Sequence, residues 1–154
     1  MRKEADDYKK ALECAFLLLK YRLRSEQEIR SRLKKRKFAL DLIEKAVSFL
    51  KEKKFIDDSI FAKAWIDSRI KRRFGLRRIE RELILKGVAK DTISAQLSRV
   101  KNNYVEVDTV NEIAGARLAK LKGLEPQIAK RRIYAYLMRR GFSPDVVYEV
   151  IGQL

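Results

Sequence analysis

Two adjacent carboxylates, a single cysteine and many basic side chains are the residues of this chain that could take part in chemistry. Asp57 and Asp58 could serve as a general acid and a general base, but no nucleophile accompanies them in the sequence. Both stand at the predicted start of a helix, where carboxylates cap free backbone N–H groups, and we interpret them as caps. Cys14 has no second cysteine to pair with and is a small apolar residue in a predicted amphipathic helix, which favours a packing role.

Catalytic and cofactor-binding motifs are missing from the sequence. The 154 residues contain no histidine, which removes the commonest general base and the commonest metal ligand. The six glycines are scattered and form neither a phosphate-binding loop nor a dinucleotide fingerprint. We therefore expect no cofactor, no metal and no enzymatic activity. The early apolar run Ala15–Leu19 is too short for a secretory signal or a membrane span, so we expect a cytoplasmic protein without membrane contact.

The charge balance points to an anionic partner. The chain has 37 Lys and Arg against 21 Asp and Glu, which gives a formal net charge of +16. Such an excess repels itself unless an anionic surface lies beside it. Nucleic acid is the first candidate for that surface, and a membrane face or an acidic protein is the second.

Apolar residues recur at helical spacing in three successive parts of the chain. The first series, Ile29, Leu33, Phe38, Ile43, Val47 and Leu50, recurs as Ile79, Leu83, Val88, Ile93, Leu97 and Val100, and again as Ile133, Leu137, Phe142, Val147, Ile151 and Leu154. Such regularity indicates one supersecondary unit used three times. We predict an all-α fold of three tandem three-helix modules, residues 1–54, 55–104 and 105–154, in a curved elongated array.

Local signals define the second helix of each module. Ser25 followed by Glu28 forms the pattern of a capping box at the start of the first of these helices. Gly87 and Gly141 stand where a left-handed residue commonly ends such a helix, and Lys37 occupies the equivalent place in the first module. A positive φ at Lys37 would therefore be less favourable than the same angle at the two glycines.

Positive charge is concentrated in the predicted second helices. The third helices carry little of it, with only Lys45 between Asp41 and Leu50, only Arg99 between Asp91 and Val100, and none between Asp145 and Leu154. A helix-turn-helix regulator reads bases through the helix after the turn, so this distribution predicts phosphate contacts and weak base selectivity. The densest stretch is Arg69–Arg81, in which Phe74 could stack on a base, although we interpret it as a packing residue.

Three segments in combination resemble the RecX family, bacterial regulators of the RecA recombinase. Phe55–Arg69 places an acidic pair before Phe-Ala and Trp, Gly75–Ile79 has the form Gly-x-Arg-Arg-Ile, and Leu137–Ser143 follows near the end of the chain. The resemblance covers nearly the whole chain. The departures are Leu76, where the family commonly has proline, and alanines at 39 and 89 in place of the capping residue, and they put local helix starts in doubt.

The resemblance implies a three-module helical protein that binds the RecA filament on single-stranded DNA and modulates it. The usual effect in the family is inhibition of ATP hydrolysis, strand exchange and coprotease activity, without any chemistry of its own. Duplex DNA is expected as a further, non-specific partner. The sequence lacks a heptad repeat, and we expect a monomer.

A set of basic residues on or near the second helices is expected to contact DNA or RecA. This set, called the basic set below, comprises Arg32, Lys34, Lys35, Arg69, Lys71, Arg72, Arg73, Arg77, Arg78, Arg81, Arg131, Arg132 and Arg139. An alternative hypothesis is a basic helical DNA-binding protein, either a transcription regulator or a nucleoprotein component, that acts without RecA. A third is a scaffold that binds a protein groove and whose charge provides only solubility.

Overall fold

The computed structural model describes residues 1–154, which form nine α-helices and no β-strand. The helices are α1 (Arg2–Tyr21), α2 (Glu26–Lys35), α3 (Leu40–Glu52), α4 (Asp58–Lys71), α5 (Leu76–Leu85), α6 (Lys90–Lys101), α7 (Glu106–Lys120), α8 (Pro126–Arg140) and α9 (Pro144–Gln153). The predicted all-α class is confirmed, with three helices for each of the three repeats.

The helices are organised in two compact units. Unit 1 contains Met1–Ala64 and Leu83–Ile93, and unit 2 contains Trp65–Glu82 and Ser94–Leu154. Helices α4, α5 and α6 therefore each contribute residues to both units. The module boundaries predicted from the repeat, after residues 54 and 104, stay a prediction.

The core of unit 1 is built where α1, α2 and α3 pack together. Helix α1 contributes two small residues, Ala11 and Ala15, and the longer apolar side chains come from the other two helices. Ile29, Leu33 and Leu50 are fully buried. Burying each such side chain stabilises the fold by roughly 1.5 to 3 kcal/mol, so the predicted apolar columns account for this core.

The core of unit 2 lies among α7, α8 and α9 and differs from the predicted series at its end. Ile133, Leu137, Phe142 and Val147 are completely buried as predicted. Ile151 is half-buried and packs against this core, whereas Leu154 is 36% exposed and Val150, which is not in the predicted series, is 1% exposed. Val150 lies one residue before Ile151 and three after Val147, so it shares the inward face of α9, and Leu154 lies beyond the last residue of that helix.

The predicted capping box and left-handed turns are present. The Ser25 hydroxyl accepts a hydrogen bond from the backbone N–H of Glu28, and the Glu28 carboxylate accepts one from the N–H of Ser25, each at 3.1 Å. Lys37, Gly87 and Gly141 have φ angles of +63°, +77° and +85°. The three turns between second and third helices therefore share one backbone conformation, which the first of them adopts without a glycine.

The starts of α2 and α5 are each held by two later segments of their own unit. In unit 1, Asp58 accepts a hydrogen bond from the N–H of Glu26 at 2.9 Å, and the Ser25 hydroxyl donates to the carbonyl of Lys86 at 2.6 Å. In unit 2, Glu106 accepts from the N–H of Leu76 at 3.1 Å. The N–H of Gly75 donates to the carbonyl of Arg140 at 2.9 Å. The two junctions use equivalent positions, so the repeat extends to the contacts between successive helices.

The acidic pair is structural, as predicted from its position. The Asp57 carboxylate accepts hydrogen bonds from the N–H groups of Ser59 and Ile60 at 2.8 and 3.2 Å, and it therefore caps α4. Asp58 is directed to α2 instead. Each carboxylate satisfies backbone donors that a helix start leaves without an intrahelical partner.

Candidate nucleic-acid interface

The densest part of the basic set surrounds the turn between α4 and α5. Lys71, Arg72, Arg77 and Arg81 are all exposed there. Helix α5 places Arg77 and Arg81 four residues apart and therefore on the same face. All four residues belong to unit 2. Together they offer a polyanion a cluster of cations that the fold leaves in contact with water.

Two arginines of the basic set are engaged inside the protein. Glu82 accepts hydrogen bonds from Arg69 at 2.7 Å, from Arg78 at 3.0 Å and from the indole N–H of Trp65 at 3.0 Å. Burial would raise the pKa of Glu82, but the hydrogen bonds from Arg78 and Trp65 and the charge of Arg69 lower it overall. Arg69 and Arg78 are both half-buried, so they are less accessible to an outside partner than their neighbours.

Phe74 is enclosed by guanidinium groups. The Cζ atoms of Arg78 and Arg140 lie 4.0 and 4.1 Å from the centre of its ring, and that of Arg69 lies at 5.6 Å. Each is within the range of a cation–π interaction. The Phe74 ring therefore packs against three arginine side chains of its own protein, in agreement with its interpretation as a packing residue.

The C-terminal end of α8 fixes the turn that carries Arg72 and Arg73. The Arg140 guanidinium donates hydrogen bonds to the backbone carbonyls of both residues. Arg73, whose φ is +58°, also forms an exposed ion pair of 2.8 Å with Glu112. Exposed ion pairs of this kind stabilise a fold by at most about 1 kcal/mol, so Arg73 can exchange Glu112 for another anion at little cost.

The remaining basic residues of unit 2 lie along α8. Arg131, Arg132 and Arg139 are exposed. Tyr136 lies on the same helix, and the guanidinium of Arg117 lies over its ring with Cζ 3.3 Å from the centre. A hydrogen bond from Arg117 lowers the pKa of Tyr136, although partial burial opposes that change. Helix α8 thus combines free cations with an aromatic ring that is already covered.

In unit 1 the basic set is limited to the last turns of α2. Arg32, Lys34 and Lys35 are exposed and lie near the negative end of the helix dipole, which favours cations. Arg32 and Lys35 line a surface pocket that also contains Arg22, Arg24 and Lys86. These last three residues were not in the predicted set. The closely spaced pair Arg22 and Arg24 directly before the capping box was the signal that could have found them.

No group of three or more Cys, Asp or Glu side chains is arranged to hold a metal ion. None of the helices has the combination of length and apolar character that crossing a membrane requires. What the structure offers to a partner is a set of exposed cations on α2, α5, α8 and the turn before α5. These features define a basic, all-helical protein built from repeated three-helix units.

Comparison with known families assigns that class more closely. Three family models match this chain, the first three-helix domain of RecX over residues 11–50, the second over 57–97 and the third over 105–151. The regulatory protein RecX of Finegoldia magna is 31% identical over 92% of this chain and 70% of its own length. That of Amycolatopsis mediterranei is 33% identical over 95% and 83% of the two chains. The chain belongs to the RecX family of regulatory proteins.

Two solved structures share the fold. A crystal structure of regulatory protein RecX matches 99% of this chain and 74% of its own, with a TM-score of 0.83 and 23% identity. RecX from Lactobacillus salivarius matches 97% of both chains, with a TM-score of 0.83 and 22% identity. The tandem arrangement of three-helix units predicted from the repeat is confirmed by these matches and by the three family models.

Proposed function

We propose that this protein binds the RecA filament on single-stranded DNA and inhibits its ATPase, strand-exchange and coprotease activities. Membership of the RecX family, over all three of its helical domains, is the observation that carries the proposal. The protein acts as a binding partner and performs no chemistry. We further propose that it works in the cytoplasm as a monomer, with duplex DNA as a weaker, non-specific ligand.

The exposed basic residues support a mechanism based on phosphate contacts. Lys71, Arg72, Arg77 and Arg81 are exposed and lie outside the ion pairs around Glu82. Lysine and arginine contacts to phosphates position a protein on a nucleic acid without reading its sequence. The proposed role needs such contacts, since a filament regulator meets DNA of every sequence.

The distribution of functions within the basic set follows from its contacts. Arg69 and Arg78 maintain the local structure through Glu82 and Phe74. We assign binding of DNA or RecA to the exposed members of the set. A variant that reverses the charge of Arg78 would disturb the fold as well as the surface, so Arg78 is unsuitable for a test of binding.

The test is the rate of ATP hydrolysis by RecA on single-stranded DNA, measured with and without this protein. We expect inhibition that persists when DNA is added in excess. Inhibition that disappears with excess DNA would mean simple competition for the strand, and would support a basic DNA-binding protein that acts without RecA. No inhibition at any concentration would refute the proposal.

A charge-reversal variant locates the surface. Lys71, Arg72, Arg77 and Arg81 are replaced together by Glu, and the matched control replaces four exposed lysines outside the basic set. The control residues are Lys3, Lys9, Lys20 and Lys53. Both variants change the net charge equally, so a loss of inhibition in the first alone would support the assigned surface. Equal loss in both would reduce the effect to net charge and refute the assignment.

A further inference from the structure

A pocket of about 300 Å³ lies in unit 1 beside the start of α2. Its walls come from the loop between α1 and α2, from α2 itself, and from the last residue of α5 with the residue that follows it. The basic residues of the lining are Arg22, Arg24, Arg32, Lys35 and Lys86, and Glu28 is its one carboxylate. The lining therefore has a large excess of positive charge in a concave site.

Glu28 neutralises only part of that charge. Its carboxylate accepts hydrogen bonds from Arg22 at 2.6 Å, from Lys86 at 2.9 Å and from the N–H of Ser25. Burial would raise the pKa of Glu28, but these hydrogen bonds lower it to about 2, so the group is ionised at neutral pH. Glu28 is the counter-ion of Arg22 and Lys86. The pocket lining contains no further carboxylate that could pair with Arg24, Arg32 or Lys35.

Arg24 is the residue that most requires an anion. Its Nε atom is buried and has no hydrogen-bond partner. Burial lowers the pKa of Arg24, and the positive charges of Arg22 and Arg32 lower it further, although Glu28 opposes them. A buried donor without an acceptor costs about 1 to 3 kcal/mol, and a small reorientation of the guanidinium toward an anion in the pocket would give this donor an acceptor. The planar guanidinium fork matches the oxygens of a phosphate group.

We propose that this pocket binds a phosphodiester group of single-stranded nucleic acid, with Arg24 as the central donor and Arg32 and Lys35 beside it. The proposal rests on the proposed function, because the strand would be the DNA of the filament, and it adds Arg24 to the contacts expected from the sequence. A phosphate within a chain fits better than a free nucleotide. The lining contains no aromatic side chain on which a base could stack.

The test compares the salt dependence of DNA binding in three proteins. Anisotropy of a labelled 20-mer of thymidine is measured with the wild type, with the double variant Arg24→Gln and Arg32→Gln, and with the control Lys3→Gln and Lys9→Gln. One or two phosphate contacts contribute about 0.7 to 1.4 to the slope of log affinity against log salt for single strands. We expect the pocket variant to lose that amount and to bind about tenfold more weakly at low salt, whereas the control keeps the wild-type slope.

Further variants guard against a folding defect. Lys35→Gln alters an exposed side chain, and we expect about half of the slope change with an unaltered thermal melt. Arg24→Lys keeps the charge and removes the fork, and we expect an affinity between those of wild type and Arg24→Gln. A wild-type slope in both the double variant and Lys35→Gln would overturn the proposal.

Competition identifies the chemical form of the phosphate. Thymidine monophosphate and inorganic phosphate are added to the bound oligonucleotide, and we expect displacement only at millimolar concentrations. Displacement by the nucleotide at micromolar concentrations, reduced in the Arg24 variant, would overturn the proposal in favour of a nucleotide pocket.

Inhibition of RecA is measured in parallel to separate this proposal from the proposed function. The wild type could fail to inhibit RecA while the pocket variant still shows a reduced salt dependence of DNA binding. That result would support the proposed pocket and refute inhibition of RecA. Inhibition of RecA by the wild type, together with a wild-type salt slope in the pocket variant, would overturn the proposed pocket and support the proposed inhibition of RecA.

Discussion

The carboxylate of Asp58 accepts a hydrogen bond from the backbone N–H of Glu26 at 2.9 Å, across 32 residues of chain. Asp58 is the first residue of α4, and Glu26 is the first residue of α2. One acidic residue at the start of a helix thus caps a different helix of the same unit. Glu106 repeats this relationship in unit 2, where it accepts from Leu76 at the start of α5 and from Ser143 at the start of α9.

Replacement of Asp58 by alanine should destabilise the protein by about 1 kcal/mol, because removal of a capping acceptor costs roughly 0.5 to 2 kcal/mol. Asparagine retains an acceptor oxygen without the charge. Burial raises the pKa of Asp58 and the charge of Glu26 raises it further, although the hydrogen bond from Glu26 lowers it. The charged form of this carboxyl group is therefore less favourable in the folded protein than in the unfolded chain. Asp58→Asn removes that charge and should be at least as stable as the wild type. Urea unfolding at pH 7 compares the three proteins, and equal losses in both variants would contradict a role as acceptor.

Replacement of Gly141 by alanine should be strongly destabilising. Its φ is +85°, and an added Cβ would lie 2.7 Å from the backbone nitrogen of Arg78 and 2.9 Å from its Cα. The backbone conformation alone costs about 1 kcal/mol in a residue with a side chain, and the steric overlap should raise the total above about 2 kcal/mol. Gly115→Ala is the matched control, because Gly115 lies inside α7 and no atom apart from the adjacent residues and the surrounding helix backbone lies within 4 Å of the new Cβ. Thermal unfolding should show Gly115→Ala to be more stable than the wild type by roughly 0.5 to 1 kcal/mol.

Replacement of Lys37 by glycine should stabilise the protein by roughly 0.5 to 1 kcal/mol. Lys37 has a φ of +63° at the position that glycine occupies in the two later repeats. Lys37→Ala removes the same charge while it keeps a Cβ, so its free energy of unfolding should stay close to that of the wild type. A gain of equal size in both variants would attribute the effect to charge and contradict the role of backbone conformation.

Much of the fold could be predicted from the sequence because its signals are local. The capping box of Ser25 and Glu28 spans three residues, and the apolar columns follow the helical period along each segment. The hydrogen bond from Glu26 to Asp58 has no such signal, because the sequence shows only that Asp58 lies at a helix start. The burial of Val150 in place of Ile151 also depended on how the last helix packs in its unit. Neighbouring apolar residues on one helix face are not separated by periodicity alone.

The candidate interface was less predictable than the fold. The sequence gives the number of charged residues, but only the three-dimensional structure shows which of them form ion pairs. Arg77 and Arg78 are adjacent and chemically identical, yet Arg77 is exposed whereas Arg78 bonds to Glu82 and lies over Phe74. Arg140 is the last residue of α8, and its hydrogen bonds to the turn before α5 come from tertiary structure. The expectation for the exposed members of the basic set stays a prediction.

The ion pairs of Glu28 should make stability depend on pH in the acidic range. The pKa of its carboxyl group is lowered from 4.5 to about 2 in the folded protein. A carboxylate with a depressed pKa stabilises the fold above its unfolded pKa, and that contribution is lost as the pH falls from about 4.5 to about 2. The difference between 4.5 and about 2 corresponds to roughly 3.5 kcal/mol at about 1.4 kcal/mol per pKa unit, and screening by water at this partly exposed site reduces the contribution at neutral pH to on the order of 2 kcal/mol. Glu28→Gln is the suitable variant, because glutamine also completes a capping box.

The difference in unfolding free energy between the wild type and Glu28→Gln should be greatest at pH 6 to 7 and should shrink steadily below about pH 4.5, as urea titrations at several pH values would show. A difference that stays constant between pH 7 and pH 3 would mean that Glu28 contributes through its shape and not through its charge.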